Sequence, residues 1–233
     1  MNLRIIILVV ALVANEVCYA QGFINLDFES ANTSGYSSGY SSPILIPTNN
    51  AVPGWTVYFG SAQQPTIPYN TIALDSASVD LEGTNSQYGP YPIQGNYSIY
   101  VQGGTQFDPD HNGASMMQTG QIPADALSII FWGGSGNFST QPSVLNVTFN
   151  GQNLSLTDMG DTANYTIWAA DISAFAGQTG TLSFHAPWQT SSLLDNIQFS
   201  SSPIPEPSAL GLSALGGLLL ACRRWKFFRY EKR

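Results

Sequence analysis

The chain is 233 residues long but has no lysine or arginine between Ile5 and Cys222. Charged residues make up only 9% of it, against about 25% in an ordinary soluble domain. These shortages exclude a charge-rich coiled coil and a nucleic-acid binder that works through a basic surface. The segment 21–202 carries twelve carboxylates and a formal charge of −12, so polyphosphates and anionic lipid headgroups are poor partners for it. Each of these carboxylates must be solvated, hydrogen-bonded or bound to a cation.

Groups that usually perform catalysis are scarce as well. The two cysteines, Cys18 and Cys222, both lie outside 21–202, so this segment has no disulfide and no thiol nucleophile. No G-x-S-x-G or H-E-x-x-H motif occurs in the strand–turn–helix or helix context that its chemistry requires. We therefore expect a protein that is not an enzyme. One alternative is a glycan-cleaving hydrolase or lyase, because Asp80 and Glu82 are two residues apart on a predicted strand and would face the same side.

The amino-terminal residues have the three parts of a secretory signal peptide. Arg4 precedes the apolar run 5–14, and the small residues Cys18 and Ala20 occupy the positions before a cleavage site at Gln21. The run is too short for a comfortable membrane span. Residues 1–20 are therefore predicted to be a signal peptide that is removed on export.

The carboxyl-terminal residues predict a membrane segment. The motif Pro205-Glu206-Pro207 opens a mostly apolar stretch that ends at Cys222, and Arg223 and Arg224 follow it. A helix over this stretch is about 24 Å long, shorter than a hydrocarbon core of about 30 Å unless the following aromatic residues extend it. The basic end would stay in the cytoplasm and place the acidic domain outside.

This tail, residues 203–233, resembles the PEP-CTERM sorting signal of Gram-negative bacteria that produce exopolysaccharide, although its aromatic and basic end is longer than usual. The resemblance implies that an exosortase, a membrane transpeptidase, recognises Pro205, Glu206 and Pro207. It also implies an inner-membrane intermediate, with delivery to the cell surface or extracellular matrix.

The middle of the chain, residues 21–202, is predicted to form one β domain. Apolar residues alternate in short runs, as in Leu145-Val147-Phe149, and no helix-length apolar period is present. The run 23–28 is predicted to be the first strand, and Asn150-Gly151 predicts a tight hairpin turn. Residues 31–50, rich in Ser, Gly, Tyr and Asn, are predicted to form a long surface loop.

The order of several motifs is similar to that of galactose-binding-like jelly-roll domains. The motifs are Gly22-Phe23-Ile24-Asn25-Leu26-Asp27-Phe28-Glu29, Val52-Pro53-Gly54-Trp55, Gly95-Asn96-Tyr97-Ser98-Ile99-Tyr100-Val101 and Leu194-Asp195-Asn196-Ile197. The resemblance implies an all-β jelly-roll sandwich in which Glu29 and Asp195 help to bind a structural Ca²⁺. Carboxylate oxygens suit calcium, but Asp195 could instead form a local turn through its own hydrogen bonds.

Aromatic residues near turns indicate glycan binding, because flat rings stack on the apolar faces of sugars. Trp132 and Trp188 are the candidate ligand-binding residues, whereas Trp55 and Trp168 lie where core residues are expected. The sequence thus predicts an exported, non-enzymatic protein associated with glycan or exopolysaccharide. A purely structural coat protein that binds no sugar is a further alternative.

Overall fold

The computed structural model describes residues 22–36, 44–71, 76–86, 91–105, 111–134 and 145–204. The predicted signal peptide and the membrane segment with its sorting motif lie outside these residues. The described strands are β1 (Ile44–Pro47), β2 (Thr56–Phe59), β3 (Ala62–Gln63), β4 (Thr66–Tyr69), β5 (Ala77–Gly83), β6 (Tyr97–Gly103), β7 (Ala114–Gln121), β8 (Ser128–Gly134), β9 (Asn146–Phe149), β10 (Gln152–Asn153), β11 (Leu156–Asp161), β12 (Thr166–Asp171), β13 (Thr179–Ala186) and β14 (Ser191–Ser200). Helical structure in this part of the chain is limited to α1 (Thr48–Ala51) and a 3₁₀ turn at Ser173–Phe175.

The strands form two sheets. One sheet has eight strands in the order β1-β4-β5-β6-β14-β8-β12-β11, and the other has six in the order β10-β9-β13-β7-β2-β3. Neighbouring strands are antiparallel except β4 and β5, which run parallel. The predicted all-β sandwich is therefore confirmed at the level of two packed β-sheets.

The core lies between the two sheets. Alternate residues of β5 and β6 point inward from the larger sheet, and alternate residues of β7, β9 and β13 point inward from the smaller one. Three aromatic rings join the layers: Trp55 and Phe184 have centroids 6.1 Å apart, and Phe131 meets Phe184 edge-on at 5.2 Å. Trp55 is buried, as the sequence predicted, and its Nε1 donates a hydrogen bond to the Asn25 carbonyl.

The predicted hairpin at Asn150-Gly151 is confirmed. Both residues have positive φ, 48° and 75°, and they join β9 to β10 in antiparallel register. These angles suit the I′ turn, whose twist matches that of the flanking strands.

The predicted first strand, residues 23–28, is wrong. Asn25 and Phe28 have φ values of 50° and 59°, which break an extended conformation. The Ile24 backbone bonds instead to the Gln118 side chain at both its N–H and its carbonyl. The segment nevertheless lies beside the last strand, β14, because the Ile197 N–H donates a hydrogen bond to the Leu26 carbonyl at 2.9 Å.

The prediction of one surface loop over 31–50 is also wrong in part. The stretch 44–50 holds β1 and most of α1, and Ile46 is fully buried opposite Ile67 of β4. The apolar run Ile44-Leu45-Ile46 forms this short edge strand, with Leu45 exposed and Ile46 buried, and the polar residues before it conceal it in the sequence. Across the described residues, every helix is shorter than a membrane crossing requires.

Candidate functional site

The two faces of the eight-stranded sheet differ in character. Along β5, Val79 and Leu81 point into the core, so Ser78, Asp80 and Glu82 must point to the opposite side. The same alternation on the neighbouring strands adds Ser98, Tyr100 and Gln102 of β6, Leu193 and Asp195 of β14, and Trp132 and Gly134 of β8. We call this set the polar face. It confirms that Asp80 and Glu82 share one side of their strand.

The register aligns the polar face in rows that run across the strands. The first row contains Asp80, Tyr100, Leu193 and Gly134, each opposite the next. The second row contains Glu82, Ser98, Asp195 and Trp132, in which the Ser98 hydroxyl donates to Asp195 at 2.7 Å. Glu82 thus lies at one end of the second row and Trp132 at the other, with Asp195 directly beside Trp132.

Asp80 and Glu82 are fully buried. The Ser78 hydroxyl donates to Asp80 Oδ2 at 2.5 Å, but Asp80 Oδ1 and both Glu82 oxygens have no hydrogen-bond partner. Burial raises the pKa of Asp80 to about 8, and the Ser78 hydroxyl opposes this shift. Burial also raises the pKa of Glu82 to about 9; the nearby Ser86 hydroxyl opposes this rise and the charge of Asp80 adds to it. Without a bound cation, both groups are therefore mostly protonated at neutral pH.

Glu29 and Asp195 both bind the segment Gln94–Ser98. Glu29 Oε1 accepts from the N–H groups of Asn96 and Tyr97 at 2.7 and 3.1 Å, and its Oε2 accepts from the Asn96 side chain. Asp195 Oδ2 accepts from the Gln94 N–H and from the Ser98 hydroxyl. Its Oδ1 accepts from the Asn196 N–H at 2.7 Å.

The structure thus brings these two carboxylates to one segment. Burial raises the pKa of Asp195 to about 6, with hydrogen bonds from Ser98, Gln94 and Asn196 opposing the shift and the Glu29 charge adding to it. All four carboxylate oxygens already face N–H or O–H donors. Calcium binding by Glu29 and Asp195 stays a prediction.

Trp132 lies at the other end of the polar face. Its indole stacks on the Tyr165 ring with centroids 4.5 Å apart and an interplanar angle of 19°. Both residues are half-buried. The sequence analysis singled out Trp132 but missed Tyr165, whose only signal was its position directly before the alternating strand β12.

A tight turn between β11 and β12 positions Tyr165. The Thr162 hydroxyl accepts from the N–H groups of Asn164 and Tyr165 and donates to the Tyr165 carbonyl. The turn also lies close to Gly134, where an added Cβ would be 3.0 Å from the Asn164 carbonyl oxygen. A residue without a side chain at Gly134 therefore lets the turn approach the sheet and places the Tyr165 ring over Trp132.

Trp188, the second candidate, lies in the turn between β13 and β14. It is 37% exposed, its Nε1 donates to the Thr105 carbonyl at 2.7 Å, and the His111 ring packs against it with centroids 4.2 Å apart. Trp188 therefore has different neighbours from Trp132. The structure places the two candidate tryptophans in separate surroundings rather than in one aromatic cluster.

The predicted sorting residues Pro205, Glu206, Pro207, Arg223 and Arg224 lie outside the described residues. Within the described ranges, no three His, Cys, Asp or Glu side chains come together as a metal centre. Comparisons with protein-family models, with curated proteins and with solved structures find no match to this chain.

Proposed function

We propose that this chain is an exported, non-enzymatic protein that binds glycan on the polar face of its larger sheet, at Trp132 and Tyr165. The observation that carries the proposal is a nearly parallel pair of aromatic rings on two residues that are only half-buried. Sugar rings present apolar C–H faces that stack on such surfaces. The fixed turn that holds Tyr165 supports binding further, because a preorganised surface loses little side-chain entropy when a ligand arrives.

Polar groups suited to sugar hydroxyls surround these rings. The side chains of Asp161, Thr162 and Asn164 are exposed in the turn beside Tyr165, and the Thr166 hydroxyl donates to Asp161 at 2.5 Å. Carboxylates, amides and hydroxyls of this kind fix the orientation of a ligand whose apolar face is stacked. The acidic charge of the segment 21–202 opposes polyanionic glycans. We therefore propose neutral polysaccharide as the ligand class.

The delivery part of the proposal rests on the sequence of the two ends. A signal peptide over 1–20 exports the chain, and the PEP-CTERM-like tail makes it an exosortase substrate at the inner membrane. The central domain, proposed to be a galactose-binding-like jelly roll, then reaches the cell surface or the extracellular exopolysaccharide.

Burial of Asp80 and Glu82 supports binding rather than cleavage. A glycosidase places a carboxylic acid within reach of the glycosidic oxygen and a second carboxylate beside the sugar ring. Both groups are 0% exposed here, so neither reaches a bound polysaccharide in this arrangement. Turnover of polysaccharide that disappears in Asp80→Asn or Glu82→Gln would favour the hydrolase or lyase instead.

The binding proposal is tested by affinity electrophoresis of the purified full chain in gels that contain neutral polysaccharides. We expect Trp132→Ala and Tyr165→Ala each to weaken binding by about 5- to 150-fold, since one stacked aromatic contributes roughly 1–3 kcal/mol by analogy with stacking on bases. Tyr58→Ala is the matched control, because Tyr58 is a half-buried aromatic on the smaller sheet. Retardation that is equal for all four proteins would overturn the proposal.

The delivery proposal has a separate test. Fractionation of an exosortase-containing host should find the chain in the surface or matrix fraction. Replacing Pro205-Glu206-Pro207 by alanines should retain it at the inner membrane. Equal distribution of the two forms would contradict sorting through this motif while leaving glycan binding intact.

A further inference from the structure

The strongest unexplained feature of the molecule is the buried pair at Asp80 and Glu82. Three of its four carboxylate oxygens have no hydrogen-bond partner, although both side chains are fully buried. Buried polar oxygens in folded proteins nearly always have a partner, and each one left without costs roughly 1–3 kcal/mol. In the part of the chain that the structure describes, no protein group is therefore a partner for these three oxygens.

A basic side chain cannot fill this role. The chain has no lysine or arginine between Ile5 and Cys222. The two histidines of that stretch lie elsewhere: His111 packs against Trp188, and His185 is on β13 of the other sheet. Protons or a metal ion are the positive groups that remain.

The oxygen atoms around the pair indicate which kind of metal ion fits. Strand alternation places Asp80 and Glu82 on one side of β5, with their backbones about 7 Å apart. At that spacing both side chains are long enough to reach the same ion. Hydroxyl groups surround them, from Ser78 bonded to Asp80, Ser86 beside Glu82 and Tyr100 directly opposite Asp80. Oxygen ligands without sulfur or imidazole suit calcium better than zinc or copper.

We propose that Asp80 and Glu82 bind one calcium ion on the polar face, with Asp80 Oδ1 and both Glu82 oxygens as its protein ligands. This site differs from the Glu29 and Asp195 pair, whose four oxygens already accept hydrogen bonds from the segment Gln94–Ser98. The remaining coordination positions are filled by hydroxyl oxygens or water, as calcium takes six to eight oxygen ligands. The ion joins two side chains of a single strand, β5, which lies between β4 and β6 in the larger sheet, and stabilises that part of the sheet. It does not depend on glycan binding at Trp132.

The first test measures calcium on the purified full chain after treatment with a chelator. Equilibrium dialysis against Ca²⁺ with elemental analysis should give one more ion per chain in wild type than in Asp80→Asn/Glu82→Gln. Asp125→Asn is the control, because Asp125 is exposed in the turn before β8, and it should bind as wild type does. With a dissociation constant near 10⁻⁴ M, typical of extracellular modules, 10 mM Ca²⁺ should raise the wild-type Tm by roughly 5–10 °C.

The double variant should show no calcium-dependent shift in Tm. It neutralises both buried groups, so it should fold without the ion. A wild-type chain that binds no calcium, or a folded double variant that keeps the wild-type affinity and shift, overturns the proposal.

A second measurement on wild type alone decides the question if the double variant does not fold. Hydrogen–deuterium exchange should be slower with Ca²⁺ than without it in β5, Ala77–Gly83, and in the neighbouring strand β6. Protection confined to residues 22–36, or to residues 106–112, would place the ion elsewhere and overturn the assignment.

Discussion

Gly95 offers a sharp test of how the carboxylate at Glu29 holds the segment Gln94–Ser98. Gly95 has a φ of 63°, and a Cβ built on it collides with the Glu29 carboxyl group, at 2.6 Å from Cδ. Alanine there must accept the left-handed conformation, at about 1–2 kcal/mol. It must also displace Glu29 from three hydrogen bonds, which contribute about 1 kcal/mol each. We therefore expect Gly95→Ala to lower the free energy of unfolding by about 3–5 kcal/mol.

Gly151→Ala separates the two contributions. Gly151 has a φ of 75°, but no atom lies within 4 Å of a Cβ built there. This variant should lose only the backbone component, about 1–2 kcal/mol. In a Glu29→Ala background, Gly95→Ala should fall to the same value, because the collision is gone.

Urea unfolding followed by circular dichroism measures all four variants. With an m-value of about 2–3 kcal/mol/M, Gly95→Ala should move the midpoint by roughly 1–2 M. Equal losses in Gly95→Ala and Gly151→Ala, or full additivity with Glu29→Ala, would refute the reasoning.

Three further predictions concern the core, the polar face and the turn at Tyr165. Phe131→Ala should destabilise by about 3–5 kcal/mol in urea unfolding, because Phe131 is buried against Phe184, whereas the exposed Met159→Ala should change stability by less than about 0.5 kcal/mol. Because the folded pKa of Asp195 is raised from 3.8 to about 6, its folded form holds a proton more tightly than the unfolded form. Its contribution to stability is therefore fully present below about pH 4 and is lost as pH rises to about 6. Asp195→Asn should remove that component from a pH series of unfolding free energies, and an unchanged pH profile would count against it. Thr162→Ala should weaken glycan binding several-fold with little loss of stability, since it loosens the turn that holds Tyr165; affinity equal to wild type would show that the turn does not position the ring.

Local patterns predicted much of the fold. Alternating apolar residues in β6, β9 and β13 mark half-buried strands directly, and Asn150-Gly151 marks its hairpin because few residue pairs accept two positive φ values. The segment 23–28 was predicted wrongly because long-range hydrogen bonds, rather than sheet pairing, hold it against the rest of the domain. Ile24 bonds to Gln118, 94 residues away, and no local pattern reports such a contact.

The sequence predicted individual residues of the candidate site but not the contacts between them. Spacing alone placed Asp80 and Glu82 on one side of a strand, but it gave no sign that both would be buried without partners, since burial depends on what packs above the sheet. Glu29 bonds to residues 67 and 68 positions away, and Asp195 to residues 97 and 101 positions away. Trp132 was a candidate because it precedes the Gly-rich stretch 133–136. Tyr165 could not be identified in the same way, because only the pairing of β8 with β12 brings it next to Trp132.

The central claim is that glycan binds at the Trp132–Tyr165 end of the polar face. The most direct measurement is a titration of the full chain, labelled with ¹⁵N at tryptophan, with neutral polysaccharide fragments. The five tryptophans each give one indole N–H signal. We predict that the Trp132 signal shifts in proportion to occupancy while that of the buried Trp55 stays in place. A saturating titration that leaves Trp132 unmoved, or that shifts Trp188 alone, would contradict the account.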